Sequence, residues 1–135
     1  MEPEHSEMMY VLGGWERLDG RLESTECYDA SSGQWKVAAA MSSARCDFGA
    51  CVMDGDIYVT GGSGVELGHA CRLSSVEKYT SSSDTWSAVA PLPKERYLHA
   101  AVSVGLAMYV LGGRVYDLST TSVLKLTARR APGAK

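Results

Sequence analysis

One short pattern occurs three times at nearly equal intervals, and a period of this size restricts the fold more than any other feature of the chain. Asp56-Ile57-Tyr58-Val59-Thr60-Gly61-Gly62 lies between two near copies, Met9-Tyr10-Val11-Leu12-Gly13-Gly14 and Met108-Tyr109-Val110-Leu111-Gly112-Gly113. Tyr58 follows Tyr10 by 48 residues, and Tyr109 follows Tyr58 by 51. A period of roughly fifty residues implies an array of one repeated supersecondary unit.

The residues after each doublet keep the same register. Ser24-Thr25-Glu26-Cys27-Tyr28 aligns with Ser75-Val76-Glu77-Lys78-Tyr79, Trp35 with Trp86 and Arg45 with Arg96, each pair 51 residues apart. Ala39-Ala40-Met41 likewise aligns with Ala90-Pro91-Leu92. Ile57, Tyr58 and Val59 are strand formers suited to a buried sheet, and glycine ends the strand where no side chain fits. This order of apolar strand, Gly-Gly, Val-Glu-x-Tyr, Trp, small apolar turn and Arg resembles the kelch repeat, from about Met8 to about Thr127. The resemblance implies that each repeat is a four-stranded blade of a β-propeller. It also implies that the doublets Gly13-Gly14, Gly61-Gly62 and Gly112-Gly113, with Tyr28, Trp35, Tyr79 and Trp86, hold one blade against the next. A WD-type repeat of about 40–45 residues fits the spacing less well.

A ring of about four blades needs about 200 residues at this period, and the chain has 135. The expected fold is therefore all-β, an incomplete kelch propeller of four-stranded antiparallel blades and not a closed ring. The sequence divides into an unstructured leader (1–7), a partial blade without its inner strand (8–42), a complete blade (43–92), a second partial blade (93–127) and an unstructured tail (128–135). In the complete blade the strands are expected at 46–53, 56–61, 74–79 and 85–89, with Asp54-Gly55 as a tight hairpin signal. Residues 15–21 are expected as a loop and 98–104 as an inner strand. The pattern then fails: Leu126 stands where tyrosine is expected, and Gly133 where tryptophan is expected. No window keeps an i, i+3, i+4 apolar stripe, so little helix is expected.

Charge and hydropathy narrow the class of function. A net charge of −3 and a pI near 5.6 leave no basic footprint for nucleic acid. The most apolar segment, 100–111, is interrupted by Ser103 and Gly105 and falls short of the ~20 residues of a membrane helix. Residues 1–7 are acidic and polar, unlike a signal peptide. The expected compartment is the cytosol or nucleus. Cys27, Cys46, Cys51 and Cys71 form no CxxC pair and no spaced cluster with His5, His69 and His99, so no metal site is expected. They read as free thiols. Arg45 beside Cys46 and Arg72 beside Cys71 would favour reactive thiolates, but adjacent side chains on a strand point to opposite faces.

Candidates for chemistry fail on context. The run 59–68 has the glycines of a nucleotide-binding turn, but Glu66 would face the phosphates and no helix pattern succeeds it. The Asp-box spacing of sialidase-type propellers is absent at Asp29 and Asp84. Copper oxidases with kelch-type propellers need converging histidines and tyrosines, and His99 is the single histidine on a predicted inner strand. No enzyme activity and no cofactor are expected.

Recognition by a surface remains. In binding propellers of this family, partners dock on the loops after each Gly-Gly and on the loops leading into each inner strand. By position the resemblance selects Trp15, Arg17, Ser63 and Arg114 from the first set, and Arg45, Asp47, Arg96 and Leu98 from the second. Arginines beside an aromatic residue suit an acidic or phosphorylated peptide. Arg45 and Arg96 are equally suited to tying adjacent blades together. Many family members carry BTB and BACK regions and serve as substrate adaptors of cullin ubiquitin ligases. Nothing in these residues resembles BTB or BACK, so a cullin would be reached only through a region that is not present here. The alternative reading is an actin-binding cytoskeletal scaffold.

Overall fold

The computed structural model describes residues 7–127. The tail (128–135) and the leader up to residue 6, with His5, lie outside the described residues. Every regular element among those described is a strand.

The first sheet holds β1 (Met8–Leu12), β4 (Thr25–Asp29) and β5 (Gln34–Ala38) in that order, all antiparallel. Between β1 and β4 a small hairpin projects, β2 (Trp15–Glu16) against β3 (Gly20–Arg21). Residues 15–21 are thus a two-strand ribbon and not an irregular loop. Glu16 Oε2 closes its tip by accepting from the N–H groups of Leu18 and Asp19 at 3.1 and 2.8 Å.

The second sheet is a full four-stranded blade. From inside outward it runs β6 (Gly49–Met53), β7 (Asp56–Thr60), β10 (Val76–Thr80) and β11 (Thr85–Val89), with the ribbon β8 (Ser63–Glu66) and β9 (His69–Arg72) between β7 and β10. Asp54 and Gly55, at φ 52° and 80°, make the tight turn between β6 and β7. The third sheet holds β12 (Ala100–Val104), β13 (Ala107–Leu111) and β16 (Val123–Thr127), with the ribbon β14 (Arg114–Val115) and β15 (Leu118–Ser119) in the same place. The three sheets form successive blades, and the ring is not closed.

Both inner strands begin later than the apolar pattern suggests. Asp47 and Leu98 sit at φ 55° and 56°, a left-handed conformation that breaks a strand. Cys46 and Tyr97 therefore make only isolated bridges, to Ser63 and Arg114. The pairing proper starts at Gly49 and Ala100.

The main apolar cluster lies between the second and third blades: Met53, Tyr58, Val76, Leu92, Met108 and Val110. Large exposed apolar side chains collect on the outer flanks, Met9, Val11, Trp35 and Val37 on the first blade and Val102, Val104 and Val123 on the third.

The glycine doublets explain how blades lock together. Gly13, Gly61 and Gly112 all have φ between 51° and 63°. A Cβ on Gly13 would lie 2.7 Å from the carbonyl oxygen of Arg45, and one on Gly61 would collide with that of Arg96. The same carbonyls accept from Gly14 and Gly62 N–H at 2.9 and 2.8 Å. Each arginine then reaches forward, Arg45 Nη1 donating to Gly61 O at 2.8 Å and Arg96 Nη1 to Gly112 O at 2.7 Å. Doublet and arginine are one device, repeated from blade to blade.

Candidate partner-docking face

The three ribbons all leave the ends of second strands, so they project from one end of the blades. Contacts between them are specific. Arg72, on β9, donates from Nη1 to Ser63 Oγ at 2.7 Å and stacks its guanidinium over the Tyr97 ring at 4.1 Å. Its Nε lies 3.6 Å from Asp117 Oδ1, at the tip of the third ribbon. Tyr97 donates its hydroxyl to the same carboxylate oxygen at 2.5 Å, which pushes the phenol up and, as the largest of several causes, holds the Asp117 carboxyl down. Leu98 N–H donates to Asp47 O at 2.9 Å, linking the two arms that lead into the inner strands.

The surface so built is apolar at its tips and charged between them. Trp15, Leu18, Leu67, Leu98, Tyr116 and Leu118 are all exposed, from 57% to 95%. Leu67, Leu98 and Tyr116 hold positive φ, at 50°, 56° and 49°. Such bulky side chains are outliers in that region, and outliers of this kind cluster at binding sites.

Of the eight residues selected by position, five lie on this surface: Trp15, Arg17, Asp47, Leu98 and Arg114 are exposed. Arg114 steadies its own ribbon by donating to Asp117 O at 2.7 Å. Arg45, Ser63 and Arg96 are corrected by their burial, at 0%, 0% and 4% exposure. No partner reaches them, because both guanidiniums are turned inward onto the next blade and Ser63 is covered by Arg72. The charge left on the face is accordingly less basic than the sequence suggested. Arg72, Tyr97 and Asp117 escaped the sequence reading because their meeting depends on the ribbon geometry. Leu67, Tyr116 and Leu118 escaped it because they stand at ribbon tips, several residues beyond the glycine doublets that marked the loops.

The structural residues divide. Tyr79 is buried, and Trp86 donates its indole N–H to Ala39 O at 2.9 Å across the first blade boundary. Tyr28 is half-buried, and Trp35, stacked on it at 5.1 Å, is 53% exposed. Trp35 has no neighbouring blade on its flank among the described residues.

The cysteines are free, and Cys27 is buried. Burial, and then Asp47, push the Cys46 thiol up, and burial pushes up Cys51. Arg45, next to Cys46 in sequence, spends its guanidinium on the second blade instead. His99 precedes β12 and is packed among Gly49, Gly61 and Gly113, with Nε2 2.8 Å from Thr60 Oγ1. Among the described residues no three metal-ligating side chains meet.

Known proteins share both the repeat and the blade arrangement. The sequence model of the Kelch motif matches residues 5–42 and 44–93. Kelch-like protein 23 of Mus musculus is 36% identical over 96 residues, 71% of this chain and 16% of that protein. Kelch-like protein 24 of Homo sapiens is 36% identical over 117 residues, 84% of this chain and 18% of that protein. The chain thus spans under a fifth of the length of these relatives. Among solved structures, that of YjhT superposes with a TM-score of 0.79 at 13% identity, covering 90% of this chain and 40% of that one.

Proposed function

Because the chain belongs to the kelch-repeat family, we propose that it is a protein-interaction module whose partner docks on the ribbon face. The observation that carries this reading is the row of exposed apolar tips, Trp15, Leu67, Leu98 and Tyr116, carried on three successive blades. Exposed tryptophan, tyrosine and leucine on loops, rimmed by charge, are the composition of interface anchors. Arg17, Arg114 and Asp47 supply polar contacts at the rim. The partner is a protein or peptide with an apolar anchor and acidic flanks.

Within this reading the finer role is substrate recognition for a cullin-based ubiquitin ligase. The resemblance of the repeat to that of kelch adaptors makes it the first choice, and an actin-binding scaffold is the second. The chain immobilised and exposed to purified actin filaments separates the two: retention of filaments selects the scaffold. Docking itself is tested by Trp15→Ala with Tyr116→Ala. Partner capture that survives the double substitution, in a chain that melts normally, overturns the ribbon face as the site.

A further inference from the structure

The chain has seven tyrosines, all of them among the described residues. Tyr58, Tyr79 and Tyr97 are buried, Tyr10, Tyr28 and Tyr109 are half-buried, and Tyr116 alone is exposed. Two of the buried hydroxyls are spent inside the fold, Tyr79 donating to Asp84 at 2.8 Å and Tyr97 to Asp117 at 2.5 Å. No described residue hydrogen-bonds the Tyr116 hydroxyl.

The fold does not call for that hydroxyl. Val115 and Leu118 pair across the tip of the third ribbon, which leaves Tyr116 and Asp117 as its two central residues, at φ 49° and 62°. In the second ribbon Glu66 and His69 pair in the same way, and Leu67 and Gly68 take the central places at 50° and 78°. Leucine thus serves in the second ribbon where Tyr116 stands in the third. A turn with two left-handed residues favours Asn-Gly or Asp-Gly, so Tyr116-Asp117 is strained there, and the strands it joins have only two residues each. Such a tip opens locally far more readily than the blades, as a kinase cleft that takes an extended chain requires.

Charge around the ring is divided. Lys94 Nζ lies 5.8 Å from the Tyr116 ring centroid and forms no ion pair with a described carboxylate. Lys94 belongs to the connection between the second and third blades, so the ring leans over that boundary and not toward the third blade's open flank. Asp117, the next residue, is engaged elsewhere, its carboxylate accepting from Tyr97 and lying 3.6 Å from Arg72 Nε. We propose that Tyr116 is a phosphorylation site for a protein tyrosine kinase, and that Lys94 pairs with the phosphate. The γ-phosphoryl group of ATP passes to Tyr116 Oη: the Oη–P bond forms, the bond from the γ-phosphorus to the β,γ-bridging oxygen breaks, ADP leaves, and the phenolic proton goes to the kinase's carboxylate base. The group carries a charge of about −1.5 to −2 at neutral pH, so an apolar tip of the ribbon face becomes an anionic one. The assignment stands on the third ribbon and Lys94 and does not require the docking reading.

The full chain, held below its thermal transition, is incubated with magnesium, ATP and a purified tyrosine-kinase catalytic domain chosen because it modifies the free peptide of residues 112–120. Tandem mass spectrometry locates the phosphate. Tyr116 should be modified at least about tenfold faster than any of the other tyrosines, because only its ribbon opens without unfolding a blade. Tyr116→Phe should lower total incorporation by about the same factor. The phosphorylated chain is then titrated by phosphorus NMR. Lys94 favours the dianion, so the second ionisation of the phosphate should centre about half a pH unit lower than in the Lys94→Ala chain. Modification spread evenly over the buried tyrosines, none at Tyr116, or a phosphate midpoint that Lys94→Ala leaves unchanged overturns the proposal.

Discussion

Arg45 and Glu77 are paired inside the chain, Nη2 to Oε2 at 2.6 Å, with side chains 0% and 3% exposed. The pair joins the connection after the first blade to the third strand of the second. Glu77 also accepts from Ser42 N–H and Oγ at 2.8 and 2.7 Å. Burial alone would raise its carboxyl, but the hydrogen bonds from Ser42 and the Arg45 guanidinium outweigh burial and hold it below the ordinary range. Removing one partner of such a pair leaves a buried charge uncompensated, which costs about 3–5 kcal/mol. Glu77→Gln should therefore lower the thermal midpoint severely. Arg45→Met with Glu77→Leu should cost less than Glu77→Gln alone, and a double variant as unstable as the single one would contradict this account.

The third blade lacks that carboxylate. Arg96 repeats the contacts of Arg45, donating to Gly112 O, Ser122 O and Ser122 Oγ, yet Leu124 stands where Glu77 would be. Burial without an anion lowers the Arg96 pKa. Leu124→Glu should supply the missing partner and raise stability by about 1–2 kcal/mol, read as a higher urea midpoint at pH 7. A loss of stability would show that the leucine's packing outweighs the new ion pair.

These two arginines also show what was legible in the sequence. Their spacing, and that of the doublets and aromatics, belongs to a repeated unit, and a repeat exposes its period whatever each residue does. The blade order is a consequence of that period, and the Asp54-Gly55 turn was legible from its own residue pair. The direction in which Arg45 and Arg96 point is not, because docking and inter-blade tying both place arginine at this step of the repeat. The face itself was half legible: Trp15 and Leu98 carried over by position, whereas Arg72, Tyr97 and Asp117 meet only through the ribbon fold.

His99 gives the fold a pH dependence in a window of its own. Burial first, and the nearby Arg96 second, push its pKa down to about 4, from an ordinary 6.5. The unfolded chain thus binds a proton that the folded chain refuses between those values. Stability is full above the unfolded value and falls as pH drops from about 6.5 toward about 4, by at most about 3 kcal/mol. Glu77, Asp84 and Asp117, all held below their ordinary values, lose their contributions at lower pH. Urea midpoints at pH 7 and pH 5 should differ in the native chain and converge in His99→Gln. An unchanged difference would assign the effect to another group.

The two tryptophans of the repeat should behave differently despite identical registers. Trp86→Ala removes the Ala39 and Thr25 contacts and the stacking on Tyr79, for an expected loss of about 3–5 kcal/mol. Trp35→Ala, at a half-exposed site on the first blade's open flank, should cost under about 1 kcal/mol. Denaturant titrations of the two variants test this directly, and equal losses would mean that Trp35 is covered in solution.

Covering of that kind is expected of the isolated chain. Repeat proteins draw much of their stability from interfaces between neighbouring units. Here the first blade has one neighbour and leaves Met9, Val11 and Val37 exposed, and the third leaves Val102, Val104 and Val123 exposed. The edges of β1 and β16 pair with no strand among the described residues, and open edges recruit other chains. One complete blade between two such flanks offsets the ordering of about 120 residues poorly. The 135-residue chain alone should unfold at low temperature with a broad transition and sediment as a concentration-dependent mixture. Charged substitutions on the flanks, Val37→Lys with Val104→Lys, should shift that mixture toward monomer. A monodisperse monomer with a sharp cooperative transition at every concentration would show that the blades are self-sufficient.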